Sequence, residues 1–276
     1  MTSSEIRTSR LEEVLGATRA QSRAALAVYL PAGYPTLDQS LDTFRLLATY
    51  ADVIEVGLPF SDPMMDGPSI QHANAQALQA GFRIEDVFTT IRELAAISTA
   101  ALLVMTYWQP VHRYGPERFA RRLAAAGGAA AIIPDLPVEE ATDWLRAAHE
   151  HGLNTVFVVA PNVTDQRLAR LCGAGSGMIY APATAGVTGT QGPLHPGLNT
   201  FVDRLRGITP LPIGVGIGVS TPEQAAVAGS FADAVIVGSA FIRTIEANPG
   251  PTGAIEAATL ARNLARGLRS PLQSAA

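Results

Sequence analysis

Short apolar runs alternate with amphipathic segments along most of the chain, and this alternation constrains the fold more than any other feature. The runs are apolar throughout, which is typical of strands in a parallel sheet that is covered on both faces. Eight runs are predicted strands: residues 25–30, 53–56, 102–105, 131–133, 155–159, 178–181, 212–215 and 234–237. The segments between them predict helices over residues 37–49, 84–96, 116–126, 138–151, 165–171, 222–228 and 239–246. Thr36, Asp165 and Thr221 are predicted to cap the helices that they introduce.

About eight strand–helix units predict an α/β fold, a single closed (β/α)8 TIM barrel. Helices over residues 10–19 and 253–266 would be N-terminal and C-terminal additions to it. We find no linker and no low-complexity segment, so we expect one TIM-barrel domain over residues 1–276. It would comprise an N-terminal helix within residues 1–24, a barrel core over 25–246, and a C-terminal helix and tail over 247–276. The alternative is an open, doubly wound sheet.

The composition argues against several classes of function. The net charge is −4 and no basic stripe is present, so we expect no nucleic-acid binding. We find no apolar stretch that would span a bilayer and no secretory signal, so we expect no membrane association and a cytoplasmic location. The single cysteine, Cys172, cannot form an internal disulfide. Because His72, His112 and His195 are isolated, no metal site is predicted.

The chain contains no lysine, since all 20 of its basic side chains are arginine. A Schiff-base aldolase and a pyridoxal phosphate enzyme both need a lysine amine. The sequence therefore excludes both kinds of chemistry, whatever the fold.

A carboxylate, that of Glu55, lies near the end of the second predicted strand. Glu55 follows Val53 and Ile54, and Asp66 lies in the loop rich in Pro and Gly that comes next. Catalytic groups in TIM barrels sit at the C-terminal ends of strands and in the loops that follow. The pair therefore predicts acid/base chemistry, although Glu55 could be a surface acid and Asp66 a turn residue.

Glycine clusters follow the last two predicted strands. One cluster contains Gly214, Gly216 and Gly218, and the other is Gly238 followed by Ser239. In a barrel these two loops commonly hold a phosphate through backbone N–H groups and a helix N-terminus. A third loop, residues 186–193, is either a lid over the substrate or an ordinary surface loop.

Several motifs together resemble the tryptophan synthase α subunit family. They comprise residues 55–71, 135–140, 186–189, 216–224 and 238–240. The resemblance runs in order, with matching spacing, from about residue 25 to about residue 246. Gln109 departs from the family pattern, where Asn is common, and Ala183-Thr184-Ala185 replaces a more usual Ser-Arg pair.

The resemblance implies a lyase that cleaves indole-3-glycerol phosphate to indole and glyceraldehyde 3-phosphate by retro-aldol chemistry, without a cofactor. It implies that Glu55 is the general acid/base, that Asp66 accepts a hydrogen bond from the indole N–H, and that Tyr180 is the tyrosine near Glu55. The remaining implied substrate-binding residues line the indole pocket, reach from the lid, or hold the phosphate: Tyr29, Tyr107, Thr188, Gly189, Gly218, Gly238 and Ser239.

The resemblance also implies a partner, a β subunit that contains pyridoxal phosphate and receives indole within an α2β2 complex. The alternative is a stand-alone lyase that releases free indole for secondary metabolism. Two further possibilities are a non-catalytic barrel that activates a partner and another phosphate-binding barrel, such as a sugar-phosphate isomerase.

Overall fold

The computed structural model describes residues 8–182, 197–216 and 218–269, which form eight strands and twelve helices. All eight strands belong to one parallel sheet in the order β5-β4-β3-β2-β1-β8-β7-β6. The strands are β1 Ala25–Pro31, β2 Val53–Gly57, β3 Ala101–Met105, β4 Ala130–Ile132, β5 Asn154–Val156, β6 Ile179–Pro182, β7 Ile213–Gly216 and β8 Ala234–Val237.

The helices lie between the strands and at both ends of the described chain. They are α1 Arg10–Ala20, α2 Leu37–Leu47, α3 Pro68–Gln79, α4 Ile84–Ile97, α5 Trp108–Tyr114, α6 Pro116–Ala126, α7 Thr142–Glu150, α8 Asp165–Ala174, α9 Leu198–Arg206, α10 Pro222–Gly229, α11 Ser239–Ala247 and α12 Pro251–Arg269. Within the described ranges, no helix combines the length and apolar composition that crossing a membrane requires.

Hydrogen bonds across the two outermost strands close the sheet into a barrel. The Tyr180 N–H of β6 donates to the Phe157 carbonyl at 3.0 Å, just beyond the end of β5. The Val159 N–H donates to the Tyr180 carbonyl at 2.9 Å. The predicted (β/α)8 TIM barrel is therefore confirmed, with its extra helices at both ends, and the open doubly wound alternative is wrong.

Three helices, α3, α5 and α9, were not predicted from the sequence. The buried face of α3 consists mainly of Ile70, Ala73 and Ala77, so small side chains weaken its apolar pattern. Helix α5 has only seven residues and contains a proline. Two of the three, α3 and α5, matter for function because they begin at the mouth of the barrel, where the loops after β2 and β3 end.

The predicted helix caps are partly right. Thr36 and Thr221 each accept a hydrogen bond from the backbone N–H three residues later, and both cap predictions are confirmed. Asp165 is wrong as a cap, because the Thr164 hydroxyl accepts the hydrogen bond from the Arg167 N–H at 3.3 Å. Asp165 lies in the first turn of α8, where its charge suits the helix dipole.

Two hydrophobic cores result from the alternating directions of strand side chains. The larger core packs the outer faces of the strands against the surrounding helices. The smaller core fills the barrel itself, largely with alanine and β-branched side chains, and three side chains of α1 complete it from the N-terminal end of the strands: Leu11, Val14 and Leu15. Helix α1 therefore plugs one end of the barrel and leaves the opposite end for the site.

Helix α12 covers part of the outer wall. It packs mainly against α10, α2 and α11, and it buries Ala257, Ala261 and Leu264. The division of residues 1–276 into one domain with an N-terminal helix, a barrel core and a C-terminal tail remains a prediction.

We predict that the α1 plug contributes strongly to stability. Leu11 is fully buried, so Leu11→Ala should leave a cavity at the closed end of the barrel and lower the free energy of unfolding by about 2–5 kcal/mol. Leu46→Ala is the matched control, since Leu46 is 39% exposed, and it should cost less than about 1 kcal/mol. Urea unfolding of both variants measures the difference, and equal losses would contradict the role assigned to α1.

Candidate active site

Glu55 points into the barrel from β2. Its neighbour two residues earlier, Val53, belongs to the inner core, whereas Ile54 and Val56 belong to the outer core. Because side chains alternate along a strand, Glu55 shares the inward direction of Val53. It pairs in register with Tyr29 of β1 and with Leu103 of β3. The sequence thus places a carboxylic acid among apolar strands, two residues before the C-terminal end of β2.

Burial changes the protonation of Glu55. The residue is 1% exposed, and its Oε1 atom has no hydrogen-bond partner among the described residues. Loss of water around the carboxyl raises its pKa from 4.5 to about 8. Glu55 can therefore hold a proton near neutral pH and release it without a large change in driving force, as a general acid/base requires.

Asp66 lies in the loop between β2 and α3, and hydrogen bonds of its main-chain N–H and carbonyl hold it in place. Its N–H donates to the Pro63 carbonyl at 3.0 Å, and its carbonyl accepts from Gln71 Nε2 at 2.8 Å. The preceding N–H, of Met65, donates to the Tyr107 hydroxyl at 2.9 Å. These contacts order the loop and leave Asp66 only 2% exposed.

The Asp66 carboxyl is asymmetric in its contacts. Its Oδ2 atom accepts a hydrogen bond from Asn74 Nδ2 at 3.2 Å, while Oδ1 has no partner in the described part of the chain. Burial raises the Asp66 pKa from 3.8 to about 7, whereas Asn74 and, to a smaller extent, Tyr107 act to lower it. One oxygen of this carboxyl is therefore available to accept a hydrogen bond from a ligand.

Three buried tyrosines surround the two acids. Tyr29 comes from β1, Tyr107 follows β3, and Tyr180 comes from β6. Burial is the largest cause that raises the pKa of each tyrosine hydroxyl, and the negative charge of Asp66 raises all three pKa values further. Glu55 has the same effect on Tyr29 and Tyr180. The five side chains thus share one site at the barrel mouth.

The glycine turns of the last two units border this site. A Cβ atom on Gly216 would lie 1.9 Å from the Tyr180 hydroxyl, and one on Gly238 would lie 2.9 Å from Tyr29 Cδ1. Glycine is therefore required for these backbones to approach the two rings. Ser239, which is buried, begins α11 immediately after Gly238. The N-terminus of α11 thus presents backbone N–H groups where an anion could bind.

The structure brings most of the predicted site residues together. Gly218 follows β7 and is half-buried. Thr188 and Gly189 lie outside the described residues. The catalytic and binding roles of all these residues remain predictions, because geometry alone assigns no reaction.

Sequence analysis missed two side chains that hold Asp66, namely Gln71 and Asn74. Both lie on α3, which was not predicted, five and eight residues after Asp66. The signal was present in principle. Asn74 falls on the same helix face as Ile70, Ala73 and Ala77, and a buried amide on such a face calls for a hydrogen-bond partner.

Comparison with known proteins identifies the family. A family model described as "Tryptophan synthase alpha chain" matches residues 15–268. The tryptophan synthase alpha chain of Streptomyces avermitilis is 49% identical over 261 residues, which cover 94% of either chain. The chain belongs to the tryptophan synthase alpha chain family. The protein of that name from Streptomyces coelicolor is 48% identical over 94% of this chain and 96% of its own length.

The fold agrees with the family. A chain in the structure of Mycobacterium tuberculosis tryptophan synthase matches with a TM-score of 0.89 and 42% sequence identity, covering 96% of this chain and 100% of that one. The predicted membership of the tryptophan synthase alpha chain family is confirmed. Gln109, where the sequence predicts a departure from the family pattern, is exposed on α5. The departure over residues 183–185 lies outside the described residues.

We predict that Glu55 destabilises the folded chain at high pH. Because its folded pKa of about 8 exceeds the ordinary value of 4.5, the native state favours the protonated carboxyl. The stability is therefore fully present below about 4.5 and is lost progressively as the pH rises to about 8. Glu55→Gln cannot ionise, so it should be more stable than wild type at pH 9, by on the order of 1–4 kcal/mol, and should lose this advantage at pH 4.

Urea unfolding at the two pH values measures this difference. Glu256→Gln, at an exposed position on α12, provides the control and should change little between them. A Glu55→Gln advantage that is equal at pH 4 and pH 9 would show that the carboxyl is not held in its protonated form by burial.

Proposed function

We propose that this chain cleaves indole-3-glycerol phosphate to indole and glyceraldehyde 3-phosphate, as the α subunit of tryptophan synthase in tryptophan biosynthesis. One observation carries the proposal: two buried carboxyls with raised pKa values, Glu55 and Asp66, share one barrel mouth in a member of this family. The reaction is a carbon–carbon cleavage that needs proton transfers at two positions of one substrate, and such a pair can supply them.

Glu55 carries the proton through the reaction. In its protonated form it donates to C3 of the indole ring, which gives an indolenine cation. The resulting carboxylate then removes the proton from the glycerol hydroxyl next to that carbon. The bond between the ring and the side chain breaks, its electron pair restores the aromatic ring, and the oxygen becomes the aldehyde of glyceraldehyde 3-phosphate. Glu55 is protonated again at the end, and a positioned acid/base group of this kind contributes about 10²–10⁴-fold to the rate.

Asp66 supports the positive charge that develops on the ring. As a carboxylate it would accept a hydrogen bond from the indole N–H through Oδ1, which has no partner in the described part of the chain. The Asn74 donor favours the ionised form of Asp66, whereas burial alone acts on Glu55 and favours its protonated form. Different surroundings thus suit Asp66 to carry the charge and Glu55 to hold the proton, which is the division of roles that the reaction needs.

The tyrosines suit a flat aromatic substrate. Tyr29, Tyr107 and Tyr180 are all at least 93% buried, because their exposures are 5%, 5% and 7%. Together they provide aromatic surface beside the two carboxyls, as an apolar ligand requires. We assign Tyr29 and Tyr107 to the indole pocket and Tyr180 to the catalytic group beside Glu55.

The opposite end of the substrate is a phosphate. Gly238 and Ser239 would bind it at the N-terminus of α11, together with Gly218 after β7. Binding energy from this remote group can orient the bond that breaks. Thr188 and Gly189 belong to the proposed binding residues through the family motif alone.

A β subunit is the proposed partner. Relatives such as the alpha chain of Streptomyces avermitilis are named as chains of tryptophan synthase, and the Mycobacterium tuberculosis structure is of tryptophan synthase. We propose that this chain likewise joins a β subunit in an α2β2 complex and acts in the cytoplasm. No lysine is available for pyridoxal phosphate chemistry in this chain, so that step belongs to the partner.

We predict that Glu55→Gln lowers kcat for indole formation from indole-3-glycerol phosphate by about 10²–10⁴-fold, because the amide cannot exchange a proton with the substrate. Purified chain, assayed for released indole, measures the loss. Glu256→Gln, far from the proposed chemistry on the exposed face of α12, should retain wild-type activity. Cleavage by Glu55→Gln at the wild-type rate would refute the assignment of Glu55 as the acid/base.

The same assay with added β subunit tests the partner. An α subunit should cleave faster in the complex, because partner contacts favour the competent conformation. A high rate that the β subunit leaves unchanged would instead favour the stand-alone lyase.

A further inference from the structure

Helix α3 holds Asp66 at two points. Gln71 Nε2 donates to the Asp66 main-chain carbonyl at 2.8 Å, and Asn74 Nδ2 donates to its carboxyl at 3.2 Å. The first contact fixes the backbone of the loop, and the second fixes the direction of the side chain. They come from residues about one turn apart, on the helix that begins two positions after Asp66.

The Asn74 amide serves this contact and no other within the described residues. The residue is 3% exposed, and its Oδ1 atom has no partner there. A carboxylate can only accept hydrogen bonds, so the amide must present its NH₂ group to Asp66. The Asn74 Oδ1 atom is then left without a donor among the described residues, which is unfavourable for a buried amide.

A second buried asparagine shows the contrast. Asn154 at the closed end of the barrel is 7% exposed, and its Nδ2 donates to a carboxylate, that of Glu12, at 3.1 Å. Its Oδ1 accepts a hydrogen bond from the Ser9 hydroxyl. Asn154 thus has both ends of its amide satisfied, as a structural residue should. Asn74 has a partner at one end only, and that partner is the acid at the barrel mouth.

We propose that Asn74 is a positioning residue that holds one oxygen of the Asp66 carboxylate, so that the other oxygen faces the substrate. This inference rests on the proposed function for the identity of the substrate, but the contact itself does not. Asn74 does not touch the reacting atoms in this account and acts only through Asp66.

The contact also stabilises the ionised form of Asp66. The titratable groups whose charges interact with Asp66 are Tyr29 on β1, Tyr107 after β3 and Tyr180 on β6, and Glu55 on β2 shares the site with them. None of these groups is a cation. Because no cation acts on Asp66 within the described residues, its charge depends on hydrogen-bond donors, and Asn74 is the one that lowers the Asp66 pKa most. Removing it should bring the Asp66 pKa up towards that of Glu55.

The test is a titration of Asp66 in the full chain, followed by ¹³C NMR of labelled aspartate carboxyls and assigned with Asp66→Asn. Asn74→Ala should raise the Asp66 midpoint by about one pH unit. In the cleavage assay, the acid limb of the kcat profile should move in the same direction. Activity relative to wild type at the same pH should fall about 5-fold at pH 7 and recover towards pH 9, while KM changes less than kcat.

Asn154→Ala is the matched control, because it removes an equivalent amide-to-carboxylate bond at the other end of the barrel. It should leave the Asp66 midpoint and the pH profile where they are in wild type. A folded Asn74→Ala variant with an unchanged Asp66 midpoint would overturn the proposal. An equal loss of activity at every pH would also overturn it, since that pattern indicates a structural role only.

A second variant covers the case in which Asn74→Ala does not fold. Asn74→Asp has the same shape but places a second carboxyl beside Asp66, so it should raise the Asp66 midpoint more than the alanine does. An unmoved midpoint in this variant would equally reject the inference. If wild type fails to cleave the substrate, the proposed function fails, but the NMR midpoints still decide the role of Asn74.

Discussion

The structure depends on the removal of water from two carboxyls at one end of a barrel. Glu55 and Asp66 are both nearly inaccessible, and burial is the largest influence on the pKa of each. In water both acids would be ionised at neutral pH and neither could deliver a proton. The protein raises both values, and hydrogen-bond donors then favour the ionised form of Asp66, while one Glu55 oxygen has no partner among the described residues.

The packed cores of the barrel offset the loss of stability that this arrangement causes. At the closed end, Leu11, Val14 and Leu15 of α1 pack with small side chains of the strands. The outer core surrounds the sheet with helices on all sides. The open end carries the unpaired polar atoms of Glu55, Asp66 and Asn74 instead. Buried polar atoms without partners are unfavourable for folding, and their grouping at one end of the barrel points to a site for a ligand.

How far the sequence reveals this depends on the kind of signal. The strands were visible because each is apolar throughout, and Glu55 stood out as the single acid in such a run. Gly216 and Gly238 were visible as turns, but the reason for them was not, since only the structure shows the Tyr180 and Tyr29 rings against their backbones. Contacts between distant strands leave no local pattern in one sequence.

The missed features have a common physical origin. The buried face of helix α3 is largely alanine, so its apolar pattern is weak in the sequence. Asn74 on that face therefore resembles an ordinary polar surface residue. The Asp165 cap was wrong because Thr164, one position earlier, is also a favoured cap residue and has the extended backbone conformation that a cap requires. In both cases the outcome depends on the backbone geometry of individual residues, which the composition of the sequence does not specify. The roles of the site residues were predicted from the family motifs.

A crystal structure of the chain with indolepropanol phosphate, an analogue that lacks both side-chain hydroxyls of the substrate, tests the central claim most directly. We expect that the indole N–H lies within about 3 Å of Asp66 Oδ1, that the Glu55 carboxyl faces C3 of the ring, and that the phosphate contacts the backbone of Gly238 and Ser239. An indole ring bound away from both carboxyls, or a phosphate held at another part of the chain, would contradict it.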